Sequence, residues 1–206
     1  MSLDLEGSSG SSCSSPPLSP PSTYLLRRVR IHAYIGAWDG LRRLLDGHED
    51  GKRTDIVEAK SRRGNQLLHT VMHHNAPLDL ITFLVSGVGA DMNRRGFHGR
   101  TALHLAAARG HSRAVVFLSN AGAAQVPDGD GRLPLHVAAV HGHLYVCIYL
   151  LRSDPESRLA RDRAGRTALD LATHYEVAKQ ISEHMAWFAW KGSSNRAVWS
   201  WRVPSR

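Results

Sequence analysis

The side chains best suited to chemistry in this chain are its 13 histidines. "GNQLLHTVMHHN" holds His69, His73 and His74, "GRTALHLAAARGH" holds His104 and His111, and "GRLPLHVAAVHGH" holds His136, His141 and His143. An imidazole could act as general acid or base, as metal ligand, or as a neutral bridge between backbone groups. His69 and His73 are four residues apart, a spacing that puts two imidazoles on one helix face. No third ligand accompanies them. The chain has no G-x-x-x-x-G-K-[ST], no H-E-x-x-H, no G-x-S-x-G and no cysteine pair at zinc spacing. "PDGDGR", 127–132, faintly resembles a calcium loop but lacks the glutamate at its twelfth position, and it reads as a turn. The expectation is a chain that is not an enzyme, with no catalytic residue, no metal site and no cofactor.

The elements that position these histidines repeat. Related units begin at Gly64, Gly99, Gly131 and Gly165, at intervals of 35, 32 and 34 residues. Each opens on a short apolar helix and continues into a second one, such as "RAVVFLSNAGAAQV" or "LYVCIYLLRS". The spacing of Leu103, Ala106 and Ala107 predicts a helix from about Ala102 to Arg109, too short to be stable alone. Two of those three are alanines, so neighbouring helices can approach closely. Thr101 is placed to cap that helix. Gly110, Gly142 and Asn75 stand where the chain must turn with positive φ. In the unit from Gly131, Leu133 replaces the capping threonine, but Pro134 suits the first helical position.

The pattern T-x-L-H-x-A-A-x-x-G-H, a second apolar helix and then G-A-D-x-N resembles the ankyrin repeat, over roughly 160 of the 206 residues. The resemblance implies an all-α repeat solenoid: a stack of four to five helix–turn–helix units with hairpin-like finger loops. The units fall at about 24–63, 64–98, 99–130, 131–164 and 165–184, within a domain spanning 23–184. The first unit carries an insertion around "EDGKRTD". The last is about three residues short and has Asp170 for the expected histidine. Atypical outer units suit the capping of a solenoid.

What the resemblance implies for residues follows position by position. His69, Thr101, His104, Gly110, His136, Gly142 and Thr167 are structural repeat positions, the histidines bridging polar backbone groups between units. The partner-facing groove takes the last two positions of each first helix: Tyr34 and Ile35, His73 and His74, Ala108 and Arg109, Val140 and His141, and most nearly His174 and Tyr175 in the short last unit. The fingertips supply Arg62, Arg63 and Asn65; Phe97, His98 and Arg100; Gly129, Asp130 and Arg132; and Arg163, Ala164 and Arg166. A groove of aromatic, imidazole and guanidinium groups suits a protein partner with an acidic surface. The implied function is non-enzymatic: a monomeric scaffold, adaptor or inhibitor. Charge reversal at Arg62, Arg63, Arg100 and Arg132 together is expected to abolish binding while the fold survives. Charging of His73, His74, His98, His141 and His174 is expected to change affinity between about pH 7 and 6.

Formal net charge is +8 and the sequence pI about 10.1. The alternative reading is therefore a basic surface that binds nucleic acid or anionic membrane. There is no apolar run of 18 residues, so no spanning helix is expected. Residues 1–22 are rich in Ser and Pro, lack the features of a secretory signal, and read as a disordered tail with Ser15-Pro16 and Ser19-Pro20 as phosphorylation candidates. The two cysteines, Cys13 and Cys147, read as free thiols of a cytoplasmic or nuclear protein. Residues 185–206 hold Trp187, Trp190, Trp199 and Trp201. They could fold back on the last unit, sit at a membrane interface as a peripheral contact, or dock on another protein.

Overall fold

The computed structural model describes residues 23–48 and 50–192. Helices dominate and, among these residues, no strand is present. The helices come in antiparallel pairs: α1 (Thr23–Ile35) with α2 (Trp38–Asp46), α4 (Leu67–His73) with α5 (Leu78–Thr82), α6 (Ala102–Arg109) with α7 (Ser112–Asn120), α8 (Pro134–Val140) with α9 (Leu144–Ser153), and α10 (Ala168–Leu171) with α11 (Tyr175–Gly192). An additional helix, α3 (Asp50–Glu58), occupies the insertion of the first unit. α5 runs on into a wider turn over Phe83–Gly87, closed by Val88 N–H donating to the Phe83 carbonyl at 3.0 Å.

The first helices of successive pairs, α4, α6, α8 and α10, pack side by side. Alanines let them do so. Ala106, Ala107, Ala138 and Ala139 have no exposed surface, and one apolar core runs from Val29 and Leu41 through Leu103 and Leu135 to Ile181. Because each short helix is stabilised by its neighbours rather than by its own propensity, the units stand or fall together. In the insertion, Ile56 and Val57 are buried, and Arg53 donates to the Leu45 and Asp46 carbonyls at 2.9 and 3.1 Å, satisfying the end of α2.

The turns obey the local rules. Asn75, Gly110 and Gly142 have φ of 59°, 70° and 74°. Each finger is a hairpin-like loop whose base is closed by an N–H to carbonyl bond, Ser61 to Asn65, Gly96 to Arg100, Asp128 to Arg132 and Asp162 to Arg166, all at 2.7–2.9 Å. Adjacent fingers are joined as well, by Gly129 N–H to the His98 carbonyl at 2.7 Å and Arg163 N–H to the Asp130 carbonyl at 2.9 Å.

The last unit departs from the expected register. α10 has only four residues, and Thr173, not a glycine, makes the turn, its hydroxyl donating to the Val140 carbonyl at 2.9 Å. His174 is consequently not at the end of a first helix. Its carbonyl accepts from Ala178 N–H at the start of α11, as the His143 carbonyl accepts from Cys147 N–H in α9. α11 also continues unbroken past 184, eight residues beyond the domain boundary expected from sequence. Cys13, Ser15, Ser19, Trp199 and Trp201 lie outside the described residues.

Candidate functional site

His104 and His136 occupy the same place in successive units and do the same work. Thr101 N–H donates to His104 Nδ1 at 3.2 Å, and Leu133 N–H donates to His136 Nδ1 at 3.2 Å. Each ring thus closes the start of its own helix. Its other nitrogen carries the proton and donates forward, from His104 Nε2 to the Arg132 carbonyl at 2.9 Å and from His136 Nε2 to the Ala160 carbonyl at 3.1 Å. His69 reaches both the Arg94 and Arg100 carbonyls, at 3.0 and 3.1 Å. Burial lowers the pKa of all three below the ordinary imidazole value, outweighing the opposing pull of the carbonyls they reach. They are neutral bridges between units. His69 is held away from metal ligation alongside His73 by those two carbonyls. Among the described residues no cluster of three or more His, Cys, Asp or Glu could hold a metal ion.

In the last unit, Asp170 keeps half of this role. Thr167 N–H and Oγ1–H both donate to Asp170 Oδ2 at 2.8 Å. These donors hold the Asp170 carboxyl below its usual range. A carboxylate has no proton to send forward, so the substitution preserves the cap and drops the inter-unit bridge.

His143 fixes a second inter-unit joint. Its Nε2 donates to the Ala108 carbonyl at 3.1 Å, and its ring lies so close to Gly110 that a Cβ there would stand 2.6 Å from Nδ1. His174 covers Gly142 in the same way. The three-residue shortening of the last unit therefore moves His174 to a turn position and Tyr175 to the first turn of α11, where Tyr175 is 80% exposed.

The fingers hold the main feature the sequence reading missed. Asp128 and Asp162 are buried acids. Asp128 Oδ1 accepts from Asp130 N–H and Arg132 N–H, both at 2.9 Å, and Asp162 Oδ1 accepts from Ala164 N–H and Arg166 N–H at the same distance. These bonds and the Arg166 guanidinium hold Asp162 below the usual carboxylate range. The second oxygens attract the fingertip arginines: Arg100 to Asp128 at 3.5 Å, and Arg132 and Arg166 to Asp162 at 3.8 and 2.9 Å. Arg100 and Arg132 are thus tied to the following finger, and Arg166 to its own. Charge reversal at Arg100 or Arg132 would set a new carboxylate against a buried one. The signal was legible: D-x-x-G-R recurs at 128–132 and 162–166. Asn65 is likewise engaged, its Oδ1 accepting from Phe97 N–H at 2.7 Å.

Other expected residues meet each other on the surface. Tyr34 and His74 have ring centroids 4.7 Å apart, His74 and His73 4.9 Å, and Arg109 Nη2 lies 3.0 Å from His73 Nε2. Four residues from three successive first helices form one continuous row. Beside it is a pocket of about 300 Å³ lined by His73, Arg100, Leu105, Ala108, Arg109 and His141. Val140 is half-buried next to His141, and Ile35 is exposed beside Tyr34. At the fingertips, the Arg63 guanidinium lies 5.6 Å from the Phe97 ring centroid, which is 3.9 Å from that of His98. His98 is held at φ 56°, an unusual backbone for a non-glycine. Arg62 borders a second depression, of about 800 Å³, with Tyr34, Ile35, Arg27 and Arg30. Arg163 and Asp130 are exposed, and among the described residues neither side chain has an ion-pair partner.

The family comparison matches residues 67–159 to the model for Ankyrin repeats (3 copies). Residues 67–159 are ankyrin repeats. The match includes His69, His104 and His136 and the turns at Asn75, Gly110 and Gly142. No curated protein matches the chain. Ankyrin repeats generally mediate protein–protein interaction and are typically non-catalytic. Among the described residues, no helix is long and apolar enough to cross a membrane.

Proposed function

We propose that this ankyrin-repeat protein is a non-enzymatic binding module that takes a protein partner with an acidic surface on the face carrying Tyr34, His74, His73, Arg109 and His141. The observation that carries the reading is the continuous row from Tyr34 to Arg109, which joins separate units into one surface. Aromatic and guanidinium groups are enriched where protein interfaces are strongest. A surface already ordered by the stack loses little entropy on binding, and exposed arginines steer an acidic partner. Arg62, Arg63 and Arg163 serve that steering, with Phe97 and His98 between them. The module acts as an adaptor, scaffold or inhibitor in cytoplasm or nucleus, as a monomer, within a domain of residues 23–184.

Affinity capture from native lysate tests this reading, with the Arg62→Glu, Arg63→Glu, Arg163→Glu protein as control. A protein retained by the natural chain and lost from the control supports it. The net charge of +8 and the cluster of Arg27, Arg30 and Arg62 around the larger depression favour a second reading, nucleic acid or anionic membrane. Binding to nucleic acid would fall steeply with salt, with a slope set by the phosphates contacted.

A further inference from the structure

We propose that the pocket between α4, α6 and α8 is the anchor subsite of this surface and takes the side chain of a glutamate from an acidic peptide segment. The inference rests on the groove reading above and narrows it to one place and one chemistry. The floor is apolar: Leu105 and Ala108, both half-buried. The rim is cationic or imidazole on every side: His73 from α4, Arg109 at the end of α6, His141 just after α8, and Arg100 from the finger before α6. No acidic side chain lines it. An apolar floor under a cationic rim matches methylenes ending in a carboxylate, and a guanidinium is the best-shaped donor for that group.

The rim groups are not equivalent. Arg100 is already drawn towards Asp128 at 3.5 Å, leaving Arg109 as the rim guanidinium with no acidic partner among the described residues. Arg109 lies against His73, and this neighbour, after burial and together with His74, lowers the His73 pKa. Arg109 donates to the neutral His73 ring, and protonation of that ring would set two cations side by side unless an anion lay between them. His141 is oriented for the same job. Its Nδ1 donates to the Val137 carbonyl at 2.9 Å, which turns Nε2 outward. A carboxylate in the pocket therefore favours the charged form of His73, and binding takes up a proton.

The test uses the full chain, with hexaglutamate as probe, hexalysine and inorganic phosphate as comparisons, and the imidazole carbon-bound proton resonances as readout. Hexaglutamate is expected to move the His73 and His141 resonances and raise the His73 titration midpoint, while the buried His104 resonance stays in place. Arg109→Gln should weaken hexaglutamate by about tenfold. Ala108→Leu, which fills the floor and leaves every charge in place, should weaken it comparably. Should Ala108→Leu fail to fold, the Arg109→Gln comparison decides alone. Three results overturn the proposal: His73 and His141 unmoved at saturating hexaglutamate, unchanged affinity in either folded variant, or phosphate acting where hexaglutamate does not. A partner captured through Arg62, Arg63 and Arg163 but indifferent to Arg109→Gln would leave the groove reading standing and remove the pocket.

Discussion

Arg100 Nε lies 3.5 Å from Oδ2 of Asp128, whose side chain is wholly buried while that of Arg100 is 31% exposed. The pair links the finger before α6 to the finger before α8. It makes a fingertip arginine part of the stack rather than part of a free surface. Arg100→Glu should therefore destabilise the fold by about 1–3 kcal/mol, because it leaves a buried acid facing a like charge. Arg63→Glu, on an exposed fingertip, should change stability by less than about 0.5 kcal/mol. Urea unfolding of the two variants checks the contrast. Equal midpoints would mean that the Arg100–Asp128 pair carries no stability.

His104 links two units through both ring nitrogens. His104→Ala removes the acceptor for Thr101 N–H and the donor to the Arg132 carbonyl in a site with no exposed surface. The expected loss is about 2–4 kcal/mol, combining two unsatisfied buried groups with a small cavity. The same denaturant measurement applies. A variant as stable as the natural chain would contradict the bridging role.

Stability should fall as pH is lowered from neutrality. His69, His104 and His136 have pKa values below the ordinary 6.5 in the fold, whereas the unfolded chain titrates near that value. Below about pH 6.5 the unfolded state binds more protons than the folded state, and stability rises with pH across that window. Each histidine that stays neutral contributes a slope of up to about 1.4 kcal/mol per pH unit. Asp162 and Asp170, held below 3.8, add a further loss only at lower pH. Melting curves from pH 7.5 to 5 should show the decline. A melting temperature flat over that range would show that these imidazoles are not held neutral.

Much of this organisation was readable before any coordinates. The 102–109 helix, the positive φ at Asn75, Gly110 and Gly142, and the recurrence of His69, His104 and His136 all follow from local rules that the neighbouring units reinforce. What sequence could not place was a relationship between fingers. Arg100 and Asp128 are 28 residues apart, and only stacking of the units brings them together. His174 was misplaced for a different reason. Counting from the preceding unit assumes a full-length first helix, and α10 has four residues.

The His174 register has its own test. Gly142 has φ 74°, and a Cβ there would collide with the His174 ring, whereas Gly165 has φ 77° with nothing within 4 Å. Gly142→Ala should cost clearly more than the roughly 1 kcal/mol of backbone strain expected at Gly165→Ala. Adding His174→Ala should recover part of the difference. Equal losses at the two glycines would show that His174 does not cover Gly142.

The exposed fingertip arginines, together with the aromatic residues beside them and not net charge alone, are expected to hold an acidic protein partner. The most direct measurement is the affinity of the captured partner for the natural chain and for the Arg62→Glu, Arg63→Glu, Arg163→Glu protein, both confirmed to melt alike. Affinity should fall at least about tenfold in the reversed protein, and the natural interaction should persist at high salt, as contacts through Tyr34, His74 and Phe97 are only weakly screened. Undiminished binding by the folded, reversed protein would contradict that expectation.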